Sequence, residues 1–320
     1  MPKNALQYPL FCPAAMFTLI IPALMTGDEM PLPPLNTPAL NQLRRFARFQ
    51  AHDLTTAQLY QQFLCDRLAL DECSAYASPV VQQMGMNSVQ MLDLKAACTD
   101  LPPETAQQYA DRLNQEYAGE YRWQILRPDV WQITAERPLD WPDISIWQAC
   151  GRLNPLMQAA SPDWLQLSTE LQMWLHGKEN APFNAFWLWR AAAGQHFEPC
   201  ALIGTDSPWQ QQSSLHTAAE PYNWPAWQHE CAAHGIAPED THLFLDGLVQ
   251  CTQTGDVLLY QQHIHAYEER FFAPIWQALC QGSLHHWRLV CEQGQWLITR
   301  KPQRWAFWRR STPFDGKTLP

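Results

Sequence analysis

The chain has 320 residues, 47% of them hydrophobic and 16% charged, which suits a globular protein with a thick core and excludes a disordered one. A formal net charge of −10 opposes general affinity for nucleic acid or anionic lipid, because both require cationic surface. Ten cysteines are scattered without a Cys-x-x-Cys pair, so zinc knuckles and thioredoxin-type redox pairs are excluded and buried, reduced thiols in a cytoplasmic setting are expected.

Pro9 to Met25 is apolar but broken by Pro9, Pro13 and Pro22 and carries no small-x-small cleavage site, so it reads neither as a signal peptide nor as a bilayer span. Residues 1–15 are expected to form a loose leader, with Met16 as an internal start and Phe17–Ile21 as the first core strand. Thr37 and Pro38 mark the start of a helix as N-cap and first helical residue, with Leu40, Leu43, Phe46 and Ala47 inward and Arg44, Arg45 and Arg48 outward. A second helix is expected from Thr55 to about Leu70.

From Ser78 the texture changes to short strands, a helix opened by Pro102-Pro103, and a hairpin. The hairpin pairs Tyr121–Leu126 with Val130–Thr134 across Arg127-Pro128-Asp129, each arm alternating apolar and polar residues. Residues 78–142 therefore read as an α+β unit inserted into a larger α/β domain made of residues 16–77 and 143–310, followed by a tail at 311–320.

The larger domain resumes with an amphipathic helix carrying Trp164, Leu167, Leu171, Trp174 and Leu175, which stops at Gly177. Phe186-Trp187-Leu188-Trp189 follows as a buried strand. Further strands are expected at Cys200–Ile203 and Thr241–Leu245, and a helix near Ala226–Ala233. A long helix from Val257 to Gln281 should bend at Pro274, and a closing hairpin turns at Gln293-Gly294. Arg300 to Arg310 mixes basic and aromatic residues, the pattern of an edge strand with a cationic outer face or of a binding surface for phosphate-bearing ligands.

Chemistry-bearing motifs are sparse. His263 and His265 lie two apart on the long helix and point to different faces, while His265 and Glu269 share a face but make an incomplete metal site. There is no Gly-rich phosphate loop, no Gly-x-Ser-x-Gly elbow and no His-Glu-x-x-His.

Asn184-Ala185-Phe186-Trp187-Leu188-Trp189 resembles a segment of the archaeal-type cofactor-independent phosphoglycerate mutases of the alkaline phosphatase superfamily, of the form His-Pro-Val-Asn, spacer, Ala-Asn-x-x-Trp-Leu-Trp-Gly. His176 stands where the first half of that segment begins, but the spacer Gly177-Lys178-Glu179-Asn180 is shortened and altered, and Arg190 replaces the final Gly. Thr37–Leu43 is similar to the family's Thr-Pro-Asn-x-x-x-Leu helix, Asp93–Leu126 to its insert with Asn114, and His242–Glu268 to its late strand and helix. In length and tail the chain also resembles the RpfE-type bacterial regulatory proteins, which are related to these mutases.

The resemblance implies a layered α/β alkaline-phosphatase-like sheet with helices on both faces plus a small inserted α+β domain. It also implies two divalent ions, such as Mn²⁺, and a Ser nucleophile, and here the chain departs from the family. The first strand ends Ile21-Pro22-Ala23-Leu24 where the family places an Asp ligand. Only Asp246 survives of a late Asp-x-x-x-His segment, with Gln250 at the His position, and the last Asp-His pair would fall near Glu292-Gln293. The expectation is a catalytically degenerate relative without a metal cofactor, binding a phosphorylated small molecule or a regulatory protein partner. His176, Lys178, Asn180, Asn184, Trp187, Trp189 and Arg190 are its ligand-binding candidates, and Asp246 and Asp256 its weak metal candidates. The alternative is an active mutase or phosphotransferase with a site rearranged around His176, Asp206, Asp246 and Asp256.

Overall fold

The computed structural model describes residues 15–26, 30–86, 88–150, 154–155, 161–178, 181–299 and 312–317. Most of the leader and the basic-aromatic stretch 300–310 lie outside the described residues.

Alternation along the central strands organises the larger layer. In β1 (Phe17–Ile20), Phe17 and Leu19 face one apolar cluster while Ile20 faces another, and β10 (Thr241–Phe244) and β11 (Trp287–Cys291) split in the same way. A strand buried on both faces belongs inside a sheet covered on both sides. The seven-stranded sheet runs β2-β12-β11-β1-β10-β8-β9, where β2 is Arg48–Ala51, β8 Leu202–Gly204, β9 Thr217–Ala218 and β12 Gly294–Ile298. Strands β11, β1, β10, β8 and β9 are parallel to their neighbours, and the β11–β12 hairpin turns the sheet antiparallel towards β2.

One face is covered by α1 (Pro38–Phe46), α6 (Trp224–Ala233), α8 (Val257–Tyr267) and α9 (Ala273–Gln281), the other by α2 (Thr56–Phe63) and the second layer. The chain is thus α/β, with helices on both faces of the main sheet. The remaining helices are α7 (Gly247–Thr254), which joins the first of these faces beside α8, the short α4 (Ile146–Ala149), which packs near α2, and α3 (Pro103–Glu116) and α5 (Pro162–His176), which pack on the second sheet. No helix among the described residues is long and apolar enough to cross a membrane.

The second sheet contains β3 (Ser74–Met84), β4 (Val89–Asp93), β5 (Tyr121–Arg127), β6 (Val130–Ala135) and β7 (Ala185–Trp189). The aromatic strand β7, expected within the larger domain, instead pairs antiparallel with β3 from Tyr76↔Trp189 to Val80↔Ala185. The second layer therefore begins before residue 78 and recruits chain from beyond residue 142. Strand periodicity reports burial but not the identity of the partner. Asn114 ties α3 to β5, donating to Trp123 O at 2.9 Å and accepting from Trp123 N at 2.8 Å.

Four local differences have physical causes. The long helix is broken by a π-helical turn, Glu268–Phe272, immediately before Pro274. Proline offers no N–H to the carbonyl four residues back and crowds it, and a widened turn accommodates both defects. The buried Glu268 carboxylate in that turn accepts the N–H groups of Ala39 and, at 3.1 Å, Leu40, capping α1 in place of Thr37, whose side chain makes no capping bond. Arg44, expected outside, is buried with its guanidinium over the rings of Trp296 and Phe314, and burial lowers its pKa. Finally, α2 ends at Phe63 because the following turn is drawn to the 207–214 loop, Arg67 N donating to Gln212 O and Ser214 donating to Asp66.

Candidate functional site

Parallel strands leave their carboxyl ends on one edge of a sheet, where ligands of open α/β sheets bind. Here that edge faces the second layer across a cleft of about 410 Å³. From the main layer, Asp206 follows β8, Asp246 follows β10, and Glu220 and Arg270 stand beside them. From the second layer come Lys95, Arg127 and Asp129, with Asp93 at the end of β4. Tyr60 of α2 and Trp147 of α4 form an aromatic wall, stacked with centroids 4.1 Å apart.

Most charges in the cleft are committed to protein partners. Asp246 Oδ2 accepts from Tyr60 OH at 2.7 Å, and Asp206 Oδ1 accepts from Glu220 N at 2.8 Å. Arg270 Nη2 donates to Glu220 Oε1 at 3.0 Å and to Pro221 O at 3.0 Å. Arg127 makes a two-pronged pair with Asp129, at 2.9 and 2.8 Å, and lies 4.8 Å over the Trp209 ring. Lys95 forms no ion pair among the described residues and is exposed.

Burial raises the Glu220 pKa against the pull of Arg270, and the Asp206 and Asp246 carboxylates raise it further. Burial likewise raises Asp93, opposed by the Ala96 N–H that its carboxylate accepts, and lowers His263, which Lys95 and Arg270 also disfavour as a cation. Tyr60 is held well above the ordinary phenol value by burial and by the Asp246 charge.

The ends of β1 and β11 meet at the same edge. Glu292 is buried, and its two carboxylate oxygens accept Ala23 N, each at 3.0 Å, while Thr56 donates to Oε1 at 2.9 Å. Ala23 adopts φ 59°, a left-handed conformation costing about 1 kcal/mol without glycine. The position after β11 thus pins a strained turn after β1.

None of the six described ligand-binding candidates from the 176–190 segment lines the cleft, and Asn180 lies outside the described residues. His176 is the exposed last residue of α5, and Lys178 sits 4.5 Å over the Trp174 ring. Asn184 accepts from Gln82 N at 2.6 Å and donates to Gln82 O at 2.9 Å, fastening β7 to β3. Trp187 and Trp189 are wholly buried, their indole N–H groups donating to Ile144 O and to Ser78 Oγ, so neither offers a face to a ligand. Arg190 N donates to Pro142 O, joining the end of β7 to the linker after β6. Of the acidic candidates, Asp206 and Asp246 meet in the cleft; Asp256 caps α8 through Leu259 N at 2.9 Å and does not line it. His263 lines the cleft, whereas His265 turns away to accept from Asn36 N. Lys95, Arg127, Arg270, Tyr60 and Trp147 carried no motif that sequence reasoning could single out; they come from five separate segments.

No protein-family model matches the chain, and no curated protein matches it. Among solved structures, the cofactor-independent phosphoglycerate mutase of Thermoplasma acidophilum DSM 1728 is similar over 95% of this chain and 96% of that one, at 10% identity and a TM-score of 0.39. Among the described residues, no three His, Cys, Asp or Glu side chains are grouped to hold one metal ion.

Proposed function

We propose that this chain is a small-molecule-binding protein of regulatory type, built on a mutase-like layout but without two-metal phosphotransfer chemistry. The observation that carries this reading is the commitment of the strand-end carboxylates: Asp246 to Tyr60, Asp206 to the Glu220 N–H, and Glu292 to Ala23 and Thr56. A pair of divalent ions needs convergent, uncommitted oxygen or nitrogen donors. This donor set does not fit such a pair.

The cleft is the ligand site in this reading, and a phosphorylated metabolite is the ligand class. Five carboxylates (Asp93, Asp129, Asp206, Glu220, Asp246) stand against three cations (Lys95, Arg127, Arg270) on its walls. A phosphate group therefore enters on the second-layer side, beside Lys95 and Arg127, away from the acidic ends of β8 and β10.

A thermal-shift screen of phosphorylated metabolites, with and without Mn²⁺, tests this. A ligand at a hundredfold its dissociation constant adds about 2.7 kcal/mol. The expected result is a metal-independent shift that weakens in Lys95→Ala. No shift from any compound overturns the ligand, and two tightly bound ions per chain with interconversion of 2- and 3-phosphoglycerate overturns the loss of chemistry in favour of an active enzyme.

A further inference from the structure

The opposite edge of the main sheet holds a second cavity, also about 410 Å³, that shares no residue with the cleft. Thr18 is in register with His242 on one side and Arg288 on the other, so the three side chains form a polar row across β10, β1 and β11. On the same face the next residues along these strands, Ile20, Phe244 and Val290, are core.

Arg288 Nε donates to Thr18 Oγ1 at 3.1 Å and Nη2 to Glu198 Oε2 at 2.6 Å; Glu198 Oε1 accepts from Gln62 at 2.6 Å. His242 is 5% exposed, and its Nδ1 is sealed off without a hydrogen-bond partner. A half-buried ion pair and an orphaned imidazole nitrogen both cost stability, and apolar residues would serve a central sheet better. The groups nonetheless line a cavity whose other walls include Met16, Pro199 and Leu297.

The chemistry of the cavity follows from these groups. Burial holds His242 neutral, its pKa lowered to about 3. An unpaired acceptor is cheaper to enclose than an unpaired N–H, so the proton resides on Nε2, which is presented to the cavity as a donor. Arg288 has N–H groups beyond the two it spends, and Glu198 retains acceptor lone pairs. The Arg288 and Glu198 charges cancel, while Glu239 and Asp240 in the wall disfavour an anion.

We propose that this cavity binds a small neutral molecule carrying a primary carboxamide on an apolar body. The carbonyl accepts from His242 and Arg288, the amide N–H donates to Glu198, and the body lies against Met16, Pro199 and Leu297.

Four probes with one body test it: benzamide, benzoate, benzylamine and toluene, titrated into the full chain while the His242 imidazole is followed by ¹H–¹⁵N NMR. Benzamide is expected to move the imidazole resonances saturably, with the three others at least about tenfold weaker. Leu297→Trp, which fills the cavity and leaves the polar row intact, is expected to abolish the benzamide response. An absent or non-saturating benzamide response, equal or tighter binding of any other probe, or an unchanged response in Leu297→Trp overturns the proposal. Because the readout is His242, a failure here is separate from a failure of the cleft screen.

Discussion

The two ends of the same parallel strands solve opposite electrostatic problems. At the carboxyl ends, acids dominate, and each is satisfied by a neutral donor or a cation arriving from another segment: Tyr60 for Asp246, Ala23 and Thr56 for Glu292, Arg270 for Glu220. At the amino ends the polar groups sit within the strands, so register sets Thr18 between His242 and Arg288, and Glu198 must come to them. Loops adapt to their charges; strands oblige their surroundings to adapt. The amino end is therefore expected to carry steep stability effects, and the carboxyl end shallow ones with consequences for binding.

The largest effect should follow Arg288→Met, which leaves the half-buried Glu198 without its cation. A loss of about 3 kcal/mol in urea denaturation is expected, and adding Glu198→Leu should restore most of it, because an apolar pair replaces an ion pair at little net cost. A double variant no more stable than the single one would remove the contrast between the ends.

Acid titration of stability is the next largest effect. His242 has a folded pKa of about 3 against an ordinary 6.5. Above pH 6.5 both states are neutral and its contribution is whole; as pH falls, the unfolded chain takes up a proton that the folded chain refuses, and stability is lost down to about pH 3. At 1.4 kcal/mol per pH unit the loss reaches about 2.7 kcal/mol by pH 4.5, and His242→Gln should remove this component from the profile. A wild type whose stability is flat from pH 6.5 to 4.5 would contradict the enclosed, neutral imidazole.

At the carboxyl end, Tyr60→Phe deprives Asp246 of its phenol donor and should cost about 1–1.5 kcal/mol, measured in the same denaturant. Metal content should not change. If Mn²⁺ instead raised the wild-type melting temperature and Asp246→Asn abolished that rise, the strand-end acids would be metal ligands after all. The smallest stability effect belongs to Lys95→Ala, within about 0.5 kcal/mol for an exposed side chain, with weakened phosphometabolite binding as its signature. A variant that binds as tightly as wild type would move the ligand away from the second-layer wall.

The candidate site was legible only in part, and the aromatic strand shows why. Trp187 and Trp189 stand out in the chain, yet tryptophan in an apolar run signals volume to be buried; Trp187 packs on Trp164 of α5 and Trp189 on Tyr76, Trp147 and Trp209, with both N–H groups satisfied. The strand-end acids Asp206 and Asp246 are inconspicuous, but an acid following a buried strand must emerge at the sheet edge, so their shared location could be read from the strands alone. The cations opposite them could not, because Lys95, Arg127 and Arg270 meet only once two layers pack.

By itself, the sequence determined the local elements: the core strand β1, the hairpin of β5 and β6, the end of α5 at Gly177, and a long helix disturbed at Pro274. These depend on residue spacing and on backbone chemistry carried by single residues. Only the tertiary structure decided that β7 joins β3, that Glu268 caps α1, that Arg44 lies under Trp296 and Phe314, and that β2 closes the sheet beside β12. Pairing and capping across long stretches of chain are settled by which surfaces and donors remain unsatisfied once the layers meet, and no window of the sequence contains both partners.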